Sequence, residues 1–98
     1  MATMTVSNPG NMAIETHVWA LSMAEAKKVL KHTKSSAYWK PLLKNGGYWW
    51  SHFVHPVNTA IRNHRDYVTL FTAGFATPEF SQMLRDSGVD YEIIKGGN

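Results

Sequence analysis

The clearest pattern in the chain is an alternation over residues 12–21. Met12, Ile14, Thr16, Val18 and Ala20 fall on one side; Ala13, Glu15, His17, Trp19 and Leu21 fall on the other. A period of two is that of a half-buried strand. The first set is the smoother apolar one. It is expected to face the core, leaving Glu15, His17 and Trp19 on the open side. The period changes at Ser22. Ser22-Met23-Ala24-Glu25 fits a capping box, with Ser22 accepting from the amide of Glu25 and the Glu25 carboxylate reaching back to the amide of Ser22. A helix follows with Met23, Ala26, Val29 and Leu30 on one side, and it weakens from Thr33 to Ser36. Tyr38, Trp39, Leu42 and Leu43 suggest further helical turns, interrupted or kinked by Pro41. Asn45-Gly46-Gly47 ends them, since glycine accepts the left-handed conformation beyond a helix C-terminus.

Tyr48 to Val54 is aromatic-rich and reads as a strand. Trp50, Phe53, Val54, Val57 and Ile61 also fit helical spacing, but Pro56 suits the start of a helix better than its interior. The expectation is a strand to about Val54 and a short helical connector at 56–64. Tyr67 to Ala73 is a strand by its β-branched and aromatic content. Thr77-Pro78-Glu79 opens a helix with an N-cap Thr, Phe80, Met83 and Leu84 form its apolar side, and Gly88 ends it. Tyr91 to Lys95 is the last strand.

The resulting order, βαββαβ over residues 12–95, resembles the ferredoxin-like arrangement. It implies an α+β fold with an antiparallel sheet and both helices on one face. The alternative is a small parallel α/β sheet, should 56–64 be a full crossover helix. The segment from Val68 through Leu84-Arg85-Asp86-Ser87-Gly88 to Ile94 resembles one βαβ unit of thioredoxin-like proteins. The redox cysteines of that family are absent, so no redox role carries over. Residues 1–11, with Ser7, Asn8, Pro9, Gly10 and Asn11, read as a flexible arm, and 12–98 as a single domain.

At 98 residues the chain is sized for one core. It has no cysteine, which excludes disulfides, thiolate metal ligands and a Cys nucleophile. No apolar run reaches the roughly 20 residues that span a bilayer. The polar first ten residues lack a signal-peptide pattern. A cytoplasmic protein without a membrane partner is expected. Its small size resembles that of accessory and regulatory proteins of bacteriophages and mobile elements.

Charge changes the picture most. Between Ala26 and Arg65 there is no acid, yet the stretch holds Lys27, Lys28, Lys31, Lys34, Lys40, Lys44, Arg62 and Arg65. Such segregation creates a local positive field that a net charge of +3 conceals. Trp39, Trp49 and Trp50 lie among these cations. Lys27, Lys31, Lys34, Trp39, Lys40, Trp49, Trp50, Arg62 and Arg65 are therefore the candidate binding residues. An acidic protein partner is expected, because Trp, Tyr and Arg anchor protein interfaces. A nucleic acid is the alternative, because phosphates take cations and bases stack on rings. Trp19, Tyr67 and Phe71 are expected on the open sheet face as the contact of a homodimer. RNA-recognition domains use that face for base stacking, but Arg65 to Phe71 lacks their signature glycine and second ring.

Catalytic chemistry has one weak candidate, the pair Glu15 and His17, in which a carboxylate could orient an imidazole. No nucleophile elbow, phosphate loop or carboxylate pair accompanies it. His52 and His55 do not form a zinc pattern without further ligands, and neither a metal nor a cofactor is expected.

Overall fold

The computed structural model describes residues 1–7 and 15–94. Four strands form one sheet in the order β3-β2-β1-β4: β1 is Ala2–Ser7, β2 Thr16–Ser22, β3 Tyr67–Ala73 and β4 Tyr91–Ile94. Three α-helices, α1 (Met23–Ser35), α2 (His55–Arg62) and α3 (Thr77–Asp86), stand between the second, third and fourth strands. β2 runs antiparallel to both of its neighbours, whereas β1 and β4 are parallel. The protein is thus α+β with a mixed sheet.

Two of the expectations fail together, and both failures move a strand. Residues 2–7 are not an arm. They form the strand between β2 and β4, with Ala2 and Met4 buried. Met4 pairs with Trp19 across the sheet, so a short stretch of modest hydrophobicity gains its order from two neighbours rather than from its own periodicity. Residues 8–11 of the expected arm, and Met12 to Ile14 of the expected strand, lie outside the described residues, as does Lys95.

The second failure is at Tyr48 to Val54, which is helical. Tyr48 and Trp49 begin a helix, Trp50–Val54 form a π-helical turn, and α2 continues from it. The buried residues Trp49, Phe53, Val57 and Ala60 recur at helical spacing, so burial of one stripe overrides the β preference of the aromatic residues. Pro56 is accommodated because the turn before it is wide. The amide of His55 reaches back to the carbonyl of Trp50, five residues away, which gives the proline ring room over the preceding turn. With a strand gained at the front and one lost here, the sheet is neither antiparallel throughout nor arranged as βαββαβ. The βαβ unit near the C-terminus is present as β3-α3-β4, two parallel strands with β2 and β1 between them.

One sheet face is covered and the other is bare. Trp19 and Leu21 of β2, Val68 and Leu70 of β3, and Ala2 and Met4 of β1 point under the helices. Phe80 of α3 sits at the centre: its ring is 4.8 Å from Trp19, 5.6 Å from Trp49 and 5.9 Å from Phe53. The phase of β2 is therefore opposite to the expected one. Trp19 is fully buried, and Val18 and Ala20 face outward. An indole and a leucine remove far more apolar area from water than a valine and an alanine, so the set with the larger rings takes the core. Among the described residues no helix is long and apolar enough to cross a membrane.

α1 begins as its sequence dictates. The Ser22 hydroxyl accepts from the amide of Glu25 at 3.1 Å, and the Glu25 carboxylate accepts from the amide of Ser22 at 2.8 Å. Burial works against ionisation of Glu25. The Ser22 amide, the terminal amine of Met1 and the Ser22 hydroxyl outweigh it and hold the carboxyl below the usual range. A depressed carboxyl contributes stability above its unfolded pKa, and this contribution is lost as pH falls through the folded value. Ser22→Ala is expected to cost about 1 kcal/mol at neutral pH. The difference in melting temperature between Glu25→Gln and the unaltered protein should narrow as pH falls below the ordinary Glu range, as calorimetry at pH 7 and below pH 4 would show.

Candidate functional site

A run of linked polar side chains crosses one end of the sheet and includes buried His17 and Thr72. The Trp19 indole N–H donates to the Thr72 hydroxyl at 2.9 Å, and the hydroxyls of Thr72 and Thr77 are 3.2 Å apart. Thr77 is hydrogen-bonded to Nδ1 of His17, and Nε2 of His17 lies 3.0 Å from the Glu15 carboxylate. An indole can only donate and an ionised carboxylate can only accept, so Trp19 donates to Thr72 at one end and Nε2–H of His17 to Glu15 at the other. Thr77 is the junction between them: its hydroxyl meets Nδ1 of His17, the Thr72 hydroxyl and the carbonyl of Ala73.

The expected pairing of Glu15 with His17 is thus present, but His17 lies on the helix-covered side and is almost entirely buried, not on the open side. It is carried there by the phase of Trp19, two residues on. The hydroxyl of Thr77, expected to cap α3, instead serves the chain, and α3 has no side-chain cap. Carboxylate, imidazole and hydroxyl stand in the order that activates a nucleophile. Two features weigh against that use. The Thr77 oxygen is already engaged by His17 and Thr72. The next residue, Pro78, has no N–H to offer a developing oxyanion. The chain is a polar lock between β2, β3 and the start of α3.

Two more indoles are tied to α3. Trp39 donates to Asp86 at 2.9 Å and Trp49 to Glu79 at 2.5 Å. The Gln82 side-chain amide and the Trp39 indole hold the Asp86 carboxyl below its usual range. Trp39 and Trp49 are buried in the core, so they are not presented to a partner as expected; a ring of this size with a paired N–H belongs inside. Trp50 is half-buried with its ring stacked on His55, 5.1 Å away. His52 bonds to the carbonyl of Tyr48 at 2.9 Å and stacks on the Tyr48 ring. The part played by Thr72, Thr77, Glu79 and Asp86 as hydrogen-bond partners escaped the sequence reading, which placed Thr77 and Glu79 only at the opening of α3. The signal for them was the number of tryptophans, each of which needs an acceptor once buried.

The cations are arranged differently. Lys27, Lys31 and Lys34 lie on the exposed side of α1, opposite buried Ala26, Val29, Leu30 and Thr33. Lys40 follows in the 3₁₀ turn Lys40–Leu43. At the other end the amide of Met23 donates to the carbonyl of Asp66 at 2.8 Å, which sets Arg65 beside the start of α1. Arg62 is exposed at the end of α2. Among the described residues, no Lys or Arg side chain lies within ion-pair distance of a carboxylate. Four of the seven acids are engaged elsewhere, Glu15 by His17, Glu25 by the N-terminus, Glu79 and Asp86 by indoles, while Asp66, Asp90 and Glu92 are exposed.

The Lys40 end of this stripe adjoins a groove of about 620 Å³ lined by Pro41, Leu42, Lys44, Tyr48, Trp49, Phe75 and Glu79, among others. Phe75, in the turn after β3, is 82% exposed, with its ring 5.9 Å from that of Tyr48. Sequence reading passed over Phe75 because it lies in the short turn Gly74–Ala76, outside any periodic segment. Comparison with family models, with curated proteins and with solved structures gives no match.

The lock makes two checkable demands. Long-range ¹H–¹⁵N spectra should show a proton on Nε2 of His17, held in the bond to Glu15. Thr72→Val leaves the buried Trp19 N–H without an acceptor and is expected to cost about 1–3 kcal/mol in denaturant unfolding, whereas Thr72→Ser should cost less.

Proposed function

We propose that the protein is a small binding domain that docks an acidic protein segment along α1 and into the groove beside Phe75. The observation that carries this reading is the unpaired state of the cations. Lysines on a solvated surface commonly pair with carboxylates; among the described residues none of those on α1 does, so their charges are free to meet an outside partner. Lys27 to Lys34 spans two turns, so the stripe offers a run of acceptor sites to an extended acidic chain. The groove at its end supplies what charge alone lacks. Leu42, Tyr48 and Phe75 give an apolar seat, and Lys44 is on its rim. An exposed Phe beside a recess is a natural anchor contact.

Burial of Trp39 and Trp49 weakens the nucleic-acid alternative more than the protein one. It removes the rings among the cations that were to stack on bases, whereas the groove and Phe75 remain for a side chain.

Anisotropy titrations with labelled peptides rich in Asp and Glu and spaced by Leu or Phe test this, run beside labelled single- and double-stranded DNA and RNA. Peptide binding should weaken about tenfold or more in Phe75→Ala, a loss expected of an anchor. It should also weaken in Lys31→Glu and fall moderately with salt. Nucleic-acid binding with a steep salt slope and no effect of Phe75→Ala would replace the protein partner with a nucleic acid. No binding of any of these probes at low salt would remove the reading.

A further inference from the structure

The bare face of the sheet has a chemistry unlike the rest of the surface. One row of cross-strand neighbours runs its full width: Ile94 beside Thr5, Thr5 beside Val18, Val18 beside Phe71. Phe71 is 54% exposed and Ile94 45%, at the two ends of the row. Below it, Ala20 and Thr69 make a neighbouring pair, and Tyr67 is 57% exposed. Among the described residues no strand position of this face is Lys or Arg, and its sole acid is Glu92 on the edge strand β4; Arg65 stands just before β3, in a recess at the sheet edge shared with Tyr67 and Thr69. A solvated sheet face ordinarily alternates core residues with polar and charged ones. Here the outward set is Phe, Tyr, Ile, Val, Ala and Thr.

We infer that this face packs against the same face of a second copy, forming a two-fold, sheet-to-sheet dimer. Charge selects the occupant. A partner that recognises the protein through ions finds almost no counter-charge here, while a second copy brings an equally uncharged surface and keeps both cationic helices away from the contact. Shape agrees. With the two-fold axis along the strands, Phe71 of one protomer lies over the Ile94 of its partner, and the smaller Val18 and Thr5 meet between them. That is the aligned packing of a β-sandwich, with the helix layers outside.

Size sets the strength. A face of four strands is about 19 Å wide and about 20 Å long, so two of them bury on the order of 1,000 Å². That is the lower bound for a specific interface, so the dimer is expected to dissociate in the micromolar range. In the dimer the two α1 faces point outward on opposite sides. The acidic-partner contact, where that separate reading holds, becomes bivalent; the dimer does not depend on it.

Sedimentation equilibrium from about 1 to about 500 μM brackets the range expected for an interface of this size. The mass should rise from 11.1 kDa towards twice that value. Phe71→Lys and Ala20→Lys should each hold the protein monomeric with an unchanged circular dichroism spectrum, and Lys31→Glu should leave the dimer intact. Ala20→Lys covers the case in which Phe71→Lys fails to fold. Because the chain lacks cysteine, a mixture of Phe71→Cys and Ile94→Cys proteins should also give an intermolecular disulfide under mild oxidation. A monomer over the whole range overturns the inference. So does a dimer that survives both lysine variants, which would place the contact elsewhere.

Discussion

A buried tryptophan must find an acceptor for its N–H, and this requirement organises the molecule. An unpaired polar group in the interior costs up to a few kcal/mol, enough to matter in a domain of this size. Three indoles meet the requirement at three places: Trp19 at Thr72 on β3, Trp39 at Asp86 and Trp49 at Glu79 on α3. The last two hold the irregular stretch between α1 and α2 against one short helix. Glu79 in its first turn fixes one end of that stretch, and Asp86 in its last turn fixes the other. The same Phe80 that fills the centre lies between these two acids in sequence, so packing and polar pairing are supplied by adjacent residues of α3. Among the described residues no buried side-chain nitrogen or oxygen is left without a partner.

Local signals were legible where a short segment determines its own structure. The capping box at Ser22 and Glu25, the strand Tyr67–Ala73, the helix opening at Thr77-Pro78 and the terminating glycines at 46 and 88, both with positive φ, all follow from neighbouring residues. What the sequence hid was decided at a distance. β1 is a strand because β2 and β4 flank it. The phase of β2 is set by how well Trp19 meets Phe80 and Tyr91, residues more than sixty positions away. The segment at 48–54 is helical because its stripe joins that of α2, with a π turn absorbing the proline that had argued against it. In each case tertiary burial outweighed a local preference of a few tenths of a kcal/mol per residue.

The candidate site shows the same division. The cations on α1 could be placed on a solvated face from the helical period alone. The aromatic half of the expected surface could not, because a tryptophan near lysines in sequence is exposed only if no carboxylate or hydroxyl inside the fold claims its N–H. Glu15 and His17 were correctly paired by their spacing. Their role changed once Thr77 and Thr72 closed the chain to Trp19, turning a surface acid–base pair into part of the interior.

These two outcomes are linked through the acids. The chain has seven Asp and Glu against ten Lys and Arg. Glu79 and Asp86 accept from buried indoles, Glu15 from a buried imidazole, and Glu25 caps α1. Each is a short-range hydrogen bond to a fixed group, which constrains a carboxylate more tightly than an exposed lysine could. Glu79 and Asp86 stay at the surface, but their oxygens are held by the indoles of the core edge and not by the lysines of α1. A substitution that removed either indole would act twice, loosening the 36–50 stretch and freeing a carboxylate to move. Stability and surface potential are in this way coupled through the same side chains.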